Sequence, residues 1–340
     1  MDWSKGYTAS YYIKRVDPFT WRDTERLEIT GGSLKREPSG LRQSASVDCV
    51  NYAPPNNVVE EWIRIYMDVE QAGSYDHISL FTGLATSPED EYDGSFKENT
   101  LDGYSVLKPV DDIKLLRGWY APANVSCTSI IKRLLSATPA PIEIPANMPV
   151  LKSYIVAEDN ESNLTMVDKI LKAINWRMRI LGDGTITFVD MKNTTPLISF
   201  DQNRFPVIET KINIQGGMFD CPNVFLAISD DLTAIARDER ESSMLSIQNR
   251  GREVWYEEDG CVLSENETIA QYAMRRLKEE QRVARVASYD RRFVPDAFPG
   301  DMITLNYPEQ TLNGNFIIES QSIRLTHGGK TSERVAEVVS

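Results

Sequence analysis

The C-terminal part of the chain carries the pattern that most restricts its fold. Two runs of alternating apolar and polar residues, at 303–307 and 316–323, follow the segment Phe298-Pro299-Gly300-Asp301. Asn313-Gly314 lies between these runs, and this dipeptide between alternating segments is a strong signal for a β-hairpin. The pattern therefore predicts that the chain ends in antiparallel, barrel-like β-structure and not in a catalytic lobe.

Length and charge restrict the class of protein. The chain has 340 residues, 41% of them hydrophobic, which suffices for about two to four domains with their own cores. Its 50 acidic and 37 basic side chains give a net charge of −13, which argues against stable binding of nucleic acid or of an anionic membrane surface. We therefore expect other proteins as partners. No run of eighteen apolar residues and no secretion signal occurs, so we expect no membrane insertion and assembly in a cytoplasm.

The cysteines and histidines lack the spacing of a metal or redox site. Cys49, Cys127, Cys221 and Cys261 are forty or more residues apart, which favours free, buried thiols, with two disulfides as the alternative. His77 and His327 are the two histidines, and each lacks a Cys or His neighbour in sequence. We predict no metal site and no cofactor.

Carboxylate pairs are the remaining catalytic option, as in glycoside hydrolysis. Glu60-Glu61 and Asp111-Asp112 are the candidates, but adjacent acids on a strand point to opposite faces and cannot flank one substrate bond. The acidic segments 87–94 and 257–260 lack the ordered spacing of a calcium loop, so solvated loops are favoured over ion sites. We predict no catalytic residues and no enzyme.

Residues 1–110 have the period-two pattern of closely spaced strands, clearest at 7–14 and 63–68. Bends or bulges are predicted at 29–33 and 38–40, where glycine and proline occur. We predict a first tube-like antiparallel β-barrel over this range.

Residues 111–205 predict a small α/β domain. After Ser126, a good cap residue, apolar residues recur at helical spacing, which predicts a helix at about 126–137. A second helix is predicted at 162–175, and a hairpin turning at Gly182-Asp183-Gly184 follows over 176–189.

The two faces of that hairpin are predicted to differ in burial. Arg177 and Arg179 are expected to face outward. The opposite face is expected to pack on the second helix, and it consists of Trp176, Met178, Ile180, Ile186 and Phe188.

A second tube-like β-barrel is predicted from 206–229 together with 285–340. The segment between these pieces, 230–284, is predicted to be a helix-containing insertion. Ser264 and Glu267 have the spacing of a capping box, so the helix is expected to begin at Ser264 or one residue later and to continue to about residue 283. The predicted fold class is therefore α+β, mostly β, with two antiparallel tube-type barrels.

Four segments together resemble the hub proteins of phage and prophage tail baseplates. The segment 29–47, with Trp21-Arg22-Asp23-Thr24 before it, is similar to the first barrel of that family. The helix-hairpin unit at 163–188 resembles its small α/β domain, and 206–228 and 293–325 resemble the two pieces of its second barrel.

The resemblance implies a structural role. A homotrimeric hub would form a ring around an axial channel and join a six-fold tail tube to a three-fold spike. The implied partners are the tail tube or distal tail protein, the spike or tail-tip protein and other baseplate proteins, and the implied location is the virion tail. We further expect an acidic channel lining that repels passing DNA. The alternative hypothesis is a cell-wall hydrolase or carbohydrate-binding tail-tip protein.

Overall fold

The computed structural model describes residues 1–38, 43–50, 52, 60–86, 89–93, 96–193, 195–230 and 232–338. Strands predominate within these residues, which confirms the α+β, mostly β class. The strands are β1 (Thr8–Val16), β2 (Asp23–Arg36), β3 (Ser44–Val50), β4 (Glu61–Gln71), β5 (Ser74–Ala85), β6 (Glu89–Asp93), β7 (Phe96–Ser105), β8 (Tyr120–Ala121), β9 (Ile142–Glu143), β10 (Ile155–Val156), β11 (Trp176–Ile180), β12 (Ile186–Asp190), β13 (Ile198–Asp201), β14 (Ile208–Gly216), β15 (Val224–Ser229), β16 (Leu232–Arg237), β17 (Trp255–Glu258), β18 (Arg285–Arg291), β19 (Met302–Tyr307), β20 (Leu312–Arg324) and β21 (Thr331–Glu337). The helices are α1 (Lys108–Asp112), α2 (Cys127–Leu134), α3 (Asn163–Ile174), α4 (Ile247–Arg250) and α5 (Ile269–Gln281).

Six N-terminal strands form a closed circuit. Antiparallel pairing joins β1 to β4, β4 to β5, β5 to β7, β7 to β3, β3 to β2, and β2 back to β1. The expected bulge in the glycine segment is present, because the register of β2 against β3 shifts between Ile29 and Gly31. The interior of the circuit is packed with apolar side chains, among them Ile13, Leu34, Val47, Ile63, Ile65, Met67, Leu80, Phe81 and Leu101.

The long strand β2 extends this circuit into a larger sheet. Its last residues, 33–36, pair antiparallel with β20 while the same part of the strand still pairs with β3. The strand β20 in turn pairs with β21, β21 with β18, and β18 with β14. Because β6 also pairs with β7, one continuous antiparallel sheet runs in the order β6-β7-β3-β2-β20-β21-β18-β14.

The C-terminal strands enclose a second core. The strand β19 pairs with β20, and β13 adds to β19 in parallel. Among the described residues these strands do not pair into a closed ring, because the group ends at β13 on one side and at β14 on the other. Its core lies between these strands and contains Phe200, Val207, Ala287, Tyr289, Ile303, Leu305, Phe316, Ile318 and Val335.

The predicted C-terminal hairpin is present, but the predicted position of its turn is wrong. The turn is a short 3-10 segment at Pro308–Gln310, followed by Thr311 with a φ of 57°. Asn313 and Gly314 lie inside β20, paired with Asn306 and Leu305. Proline has no N–H to donate to a ladder, so β19 ends before Pro308 and the chain reverses there.

The α/β unit follows its prediction closely. The helix α2 continues into a 3-10 turn at Leu135–Ala137, so the helical segment ends where expected. Ser162 caps α3 by accepting a hydrogen bond from the amide of Thr165, and Asn175 ends the helix in the left-handed conformation. The hairpin β11-β12 follows in the predicted register, and β9 pairs with β12 in parallel.

The insertion differs from its prediction at its N-terminal boundary, whereas the second group of strands resumes with β18 at Arg285 as predicted. The strand β15, Val224–Ser229, was predicted to belong to the second barrel, but it pairs with β16 and β17 in a separate three-stranded sheet. One face of this sheet packs on α5 through Phe225, Ala227, Tyr272 and Leu277. The charged segment after Asp230 contains the strand β16, which was not predicted. Ala234 and Ala236 of this strand pack into the same core as α5.

The predicted start of α5 is also wrong. The helix begins at Ile269, and its capping box is formed by Thr268 and Gln271. Ser264 is buried in extended chain, where it bridges Leu151, and Glu267 binds Arg275 on the helix. Ser264–Glu267 and Thr268–Gln271 both have the spacing of a capping box. The backbone bridge of Ser264 to Leu151 keeps Ser264 in extended chain, so the helix begins after Thr268. Among the described residues, no helix is both long and apolar enough to cross a membrane.

Candidate assembly surfaces

The eight-stranded sheet contains the same strand order twice. We call β6-β7-β3-β2 quartet 1 and β20-β21-β18-β14 quartet 2. Within each quartet the spatial order is the third, fourth, second and first strand along the chain, and all pairs are antiparallel. The two quartets meet at one seam, the pairing of β2 with β20. A single chain therefore holds two sheet units of one topology side by side.

One face of this sheet, which we call the polar face, lies opposite the two cores. A single row of cross-strand partners crosses six strands of it, and the row consists of Tyr104, Ser44, Lys35, Ser322, Ser332 and Asp290. Four further serines lie on the same face, namely Ser33, Ser46, Ser288 and Ser320. Two adjoining grooves of about 480 and 250 Å³ share Lys35 and run along it, so the polar face is indented across the seam.

Charges on the polar face nearly balance. Asp290 accepts a hydrogen bond from the Ser332 hydroxyl at 2.6 Å, and Glu209 pairs with Lys330 at 2.6 Å. The charged side chains that line the two grooves from this face are Lys35, Lys211, Arg334, Glu37, Asp102, Glu209 and Asp290. The polar face therefore carries serine hydroxyls and charges of both signs. It lacks the excess of one charge that a surface needs to bind a polyelectrolyte such as DNA.

A buried polar network joins three strands of quartet 2 from the core side. Arg291 and Glu333 form an ion pair whose side chains are both fully buried, with Nε and Oε2 2.8 Å apart. Gln321 donates to Oε1 of Glu333 at 2.6 Å, and the Tyr289 hydroxyl donates to Oε2 at 3.0 Å. With both carboxylate oxygens satisfied, the pair holds β18, β20 and β21 in one register.

Asp301 joins the α/β unit to quartet 2. Its carboxylate is 6% exposed and accepts hydrogen bonds from Nη2 of Arg177 at 3.0 Å and from Nη2 of Arg179. Its other oxygen accepts from the Phe298 amide at 3.0 Å, and Nη1 of Arg177 donates to the Pro299 carbonyl at 2.7 Å. The segment that restricts the fold most in sequence, 298–301, therefore contacts the hairpin β11-β12 through its arginine face and helps to fix it on the large sheet.

The expectation that Arg177 and Arg179 face solvent is wrong. Both lie on the predicted face of the hairpin, since Met178 and Ile180 are buried on the opposite one, but the segment 298–301 covers them. Gly300 makes the cover possible. It has a φ of 84°, and a Cβ there would lie 1.2 Å from Nη1 of Arg177.

Both histidines lie in one groove although about 250 positions separate them in sequence. His77, His327, Asp68 and Glu70 help to line a groove of about 810 Å³. Nδ1 of His77 is 2.6 Å from Asp68, and its ring stacks on Tyr66 at 4.3 Å, so it belongs to a cross-strand cluster. Among the described residues, no group of three or more His, Cys, Asp or Glu side chains is placed to hold a metal ion.

The candidate carboxylates do not converge on one another. Glu61 binds Nε of Arg15 at 2.7 Å, and its burial raises its pKa. Asp112 pairs with Lys108 one helical turn away. Glu60 is exposed just before β4, whereas Asp111 lies in α1. The structure therefore assembles no carboxylate pair from these residues.

The acidic segments are also placed differently from their predictions. Residues 89–93 form β6 and not a loop, and the rest of 87–94 lies outside the described residues. In the second segment, burial alone would raise the pKa of Glu258, but Lys172 at 2.8 Å and Arg276 at 3.0 Å lower it below its usual value.

The four cysteines are free and buried, as the spacing favoured. Burial raises the pKa of the Cys49 and Cys127 thiols to about 12 each. These thiols are therefore protonated and unreactive at neutral pH.

Solved structures of tail proteins share this architecture. The 43 kDa tail protein of prophage MuSo2 from Shewanella oneidensis aligns over 96% of this chain and 97% of its own, with a TM-score of 0.64 and 12% identity. The tail protein from Neisseria meningitidis MC58 aligns over 98% and 97%, with a TM-score of 0.66 and 16% identity. The E. coli c3393 protein, a type VI secretion system component with structural similarity to T4 bacteriophage tail proteins gp27 and gp5, aligns over 92% and 74%, with a TM-score of 0.55 and 9% identity.

No protein-family model matches the sequence, and no curated protein matches it. The likeness therefore lies in the fold and not in residue identity. The chain has the fold of phage and prophage tail proteins over nearly its whole length.

Proposed function

We propose that this chain is the structural hub of a phage or phage-like tail baseplate. In this proposal, three copies form a ring that surrounds an axial channel and joins a six-fold tail tube to a three-fold spike. The observation that carries the proposal is the repeated strand order of quartets 1 and 2 on one sheet. The shared fold with tail proteins from two prophage or bacterial sources supports it.

The repeat offers a way to match two symmetries. Each chain contributes two quartets of one topology, so a ring of three chains presents six such units. Six similar units suit a six-fold tube on one side of the ring. The features that occur once per chain, such as the α/β unit and the insertion with α5, present three-fold symmetry on the other side.

The polar face is the surface that we assign to the channel. It spans both quartets, it is indented, and it has serine or small polar residues where a buried interface has apolar ones. The charged residues that line its grooves nearly balance, with a small acidic excess, so this surface is only weakly acidic compared with the acidic lining expected from net charge. A lining without clustered Lys and Arg releases few counterions and so does not retain DNA.

We expect the ring to bind a tube or distal tail protein on one side and a spike or tail-tip protein on the other, within the virion tail. Native mass spectrometry of the concentrated full chain tests the oligomer, and electron microscopy of the same sample tests the channel. Three-fold rings with an axial opening are the expected result. A chain that stays monomeric, or that forms two-fold dimers, would overturn the proposal, and a monomer that clears cell walls would favour the hydrolase alternative.

A further inference from the structure

A groove of about 350 Å³ lies where the α/β unit meets the insertion. Strand β10 and helix α3 form one wall, and residues 258–262 together with Tyr272 of α5 form the other. Small-molecule sites have volumes of about 300 to 1,000 Å³ and often lie between domains. We infer that this groove, which we call the junction groove, binds a neutral oligosaccharide that carries acetamido groups. This inference goes beyond the proposed hub and does not depend on it.

Two exposed tyrosine rings lie at the end of the junction groove that β10 forms. Tyr120 and Tyr154 are 56% and 63% exposed, and their ring centroids are 6.3 Å apart in an edge-to-face arrangement. Tyr120 pairs with Val156 on the outer face of the β8-β10 ribbon, and Tyr154, two residues before Val156, extends that face. Because the two rings already contact each other, a ligand that packs on them costs little side-chain entropy.

Exposed tyrosines of this kind fit a ligand with one apolar and one polar side. A tyrosine combines an apolar ring, whose face carries partial negative charge, with a hydroxyl group. The C–H groups on one face of a sugar ring pack on such a ring, and the sugar hydroxyls stay free for hydrogen bonds. Val156 and Val262 add apolar surface within the junction groove itself.

The charges that line the junction groove cancel. Lys169 binds Glu158 at 2.9 Å, and Lys172 binds Glu258 at 2.8 Å, and all four side chains line the groove. A surface with equal numbers of both charges attracts neither a polyanion nor a polycation. The lining therefore favours an uncharged polar ligand.

The two ion pairs leave hydrogen-bonding groups free for such a ligand. The Lys172 ammonium donates to Glu258 and retains further N–H donors. Glu158 accepts from Lys169 through Oε1, and among the described residues its Oε2 accepts no hydrogen bond. The same bond lowers the pKa of the Glu158 carboxyl, so Glu158 is ionised at neutral pH.

An acetamido group matches these free partners. Its N–H donates to a carboxylate such as Glu158, and its carbonyl oxygen accepts from an ammonium such as Lys172. Gly260 leaves the groove open on the opposite wall, because a Cβ there would have no atom within 4 Å. A sugar bound in the groove can therefore continue into a longer chain.

Saturation-transfer NMR of the full chain tests the junction groove with a defined probe. The probe is chitotriose, a neutral oligosaccharide of N-acetylglucosamine, and cellotriose is the matched sugar without acetamido groups. The expected result is saturation transfer to the acetamido methyl groups of chitotriose and much weaker transfer to cellotriose. Absence of transfer to chitotriose, or equal transfer to both sugars, would overturn the inference.

Matched variants locate the bound sugar. Tyr154→Ala should weaken chitotriose binding about tenfold because a ring face is lost, whereas Tyr154→Phe should bind within about twofold of wild type. Lys172→Met should also weaken binding, since it removes the ammonium that the acetamido carbonyl needs. Tyr75→Ala is the control, because Tyr75 is 76% exposed but lines a different groove. Unchanged binding by Tyr154→Ala, or an equal loss in Tyr75→Ala, would place the sugar elsewhere and overturn the inference.

A second arm distinguishes two sources of such a sugar. The disaccharide of N-acetylglucosamine and N-acetylmuramic acid carries the carboxylate of cell-wall glycan, which neutral surface polysaccharides lack. Binding of this disaccharide as tightly as chitotriose would assign the groove to the cell wall, and binding of chitotriose alone would assign it to a neutral polysaccharide. A three-fold ring that binds neither sugar would overturn this inference and leave the proposed hub standing.

Discussion

Removing the Asp301 carboxylate should weaken the attachment of the hairpin β11-β12 to the large sheet. In wild type this carboxylate accepts hydrogen bonds from Arg177, Arg179 and the Phe298 amide, and only 6% of its side chain is exposed. The variant Asp301→Ala leaves two guanidinium groups partly buried without that partner. Breaking a buried pair in this way costs about 3 to 5 kcal/mol, because the remaining charge stays desolvated.

The variant Asp301→Asn should cost less, about 2 kcal/mol, because the amide oxygen still accepts a hydrogen bond while the charge is lost. A surface pair provides the matched control. Lys330 and Glu209 lie 2.6 Å apart but are each about half exposed, so Glu209→Ala should cost less than about 1 kcal/mol.

Urea unfolding measures these free energies, and hydrogen exchange of amides 176–190 locates the loss. The expected order of destabilisation is Asp301→Ala, then Asp301→Asn, then Glu209→Ala. The double variant with Arg177→Met should cost less than the sum of its two single variants, because the two side chains interact. The assigned role of Asp301 is wrong if the unfolding free energy of Asp301→Ala lies within about 1 kcal/mol of wild type. It is also wrong if the loss of unfolding free energy in the double variant equals the sum of the losses in the two single variants.

Three further predictions follow from single contacts. Gly300→Ala and Gly73→Ala both place alanine at a positive φ, which lowers the unfolding free energy by about 1 kcal/mol each. In urea unfolding Gly300→Ala should cost roughly 2 kcal/mol more than Gly73→Ala, because its Cβ displaces Arg177, whereas Gly73 has open space around it. Thr268→Ala should lower the unfolding free energy by about 1 kcal/mol because it removes the cap of α5. Ser264→Ala should change it by less than about 0.5 kcal/mol because the buried Ser264 hydroxyl has no hydrogen-bond partner, and equal costs of the two variants would contradict the assigned cap. Burial, and to a smaller extent Asp111, raise the pKa of Asp168 to about 6, so ionising this carboxyl destabilises the folded state and the unfolding free energy should fall as pH rises from about 4 through 6. Relative to wild type, Asp168→Asn should be about 3 kcal/mol more stable at pH 7 and nearly equal near pH 4, and a difference that does not change over that range would refute the assignment.

Local patterns sufficed for elements whose partners are close in sequence. The helices α2 and α3 and the hairpin β11-β12 match their predictions because apolar spacing, the Ser162 cap and the Gly182-Asp183-Gly184 turn act within a few residues. Where two local signals compete, the pattern does not decide. Ser264 and Thr268 both have capping spacing, and the backbone bridge of Ser264 to Leu151, over a hundred residues away, selects Thr268.

Contacts between distant segments explain most of the remaining differences. Alternation correctly placed Arg177 and Arg179 on one face of the hairpin, but it contained no sign that Asp301 covers that face. The strand β15 has the same apolar pattern as a barrel strand, and its pairing with β16 and β17 depends on packing against α5. The polar face did leave a signal in sequence, since serines recur two positions apart in β3 and β20, at Ser44 and Ser46 and at Ser320 and Ser322.

A cryo-electron microscopy map of the assembled ring tests the central proposal most directly. We expect three copies around an axial channel, with the polar face of all six quartets lining it. A ring in which the polar face points outward, or an assembly without three-fold symmetry and an axial channel, would contradict the proposed hub.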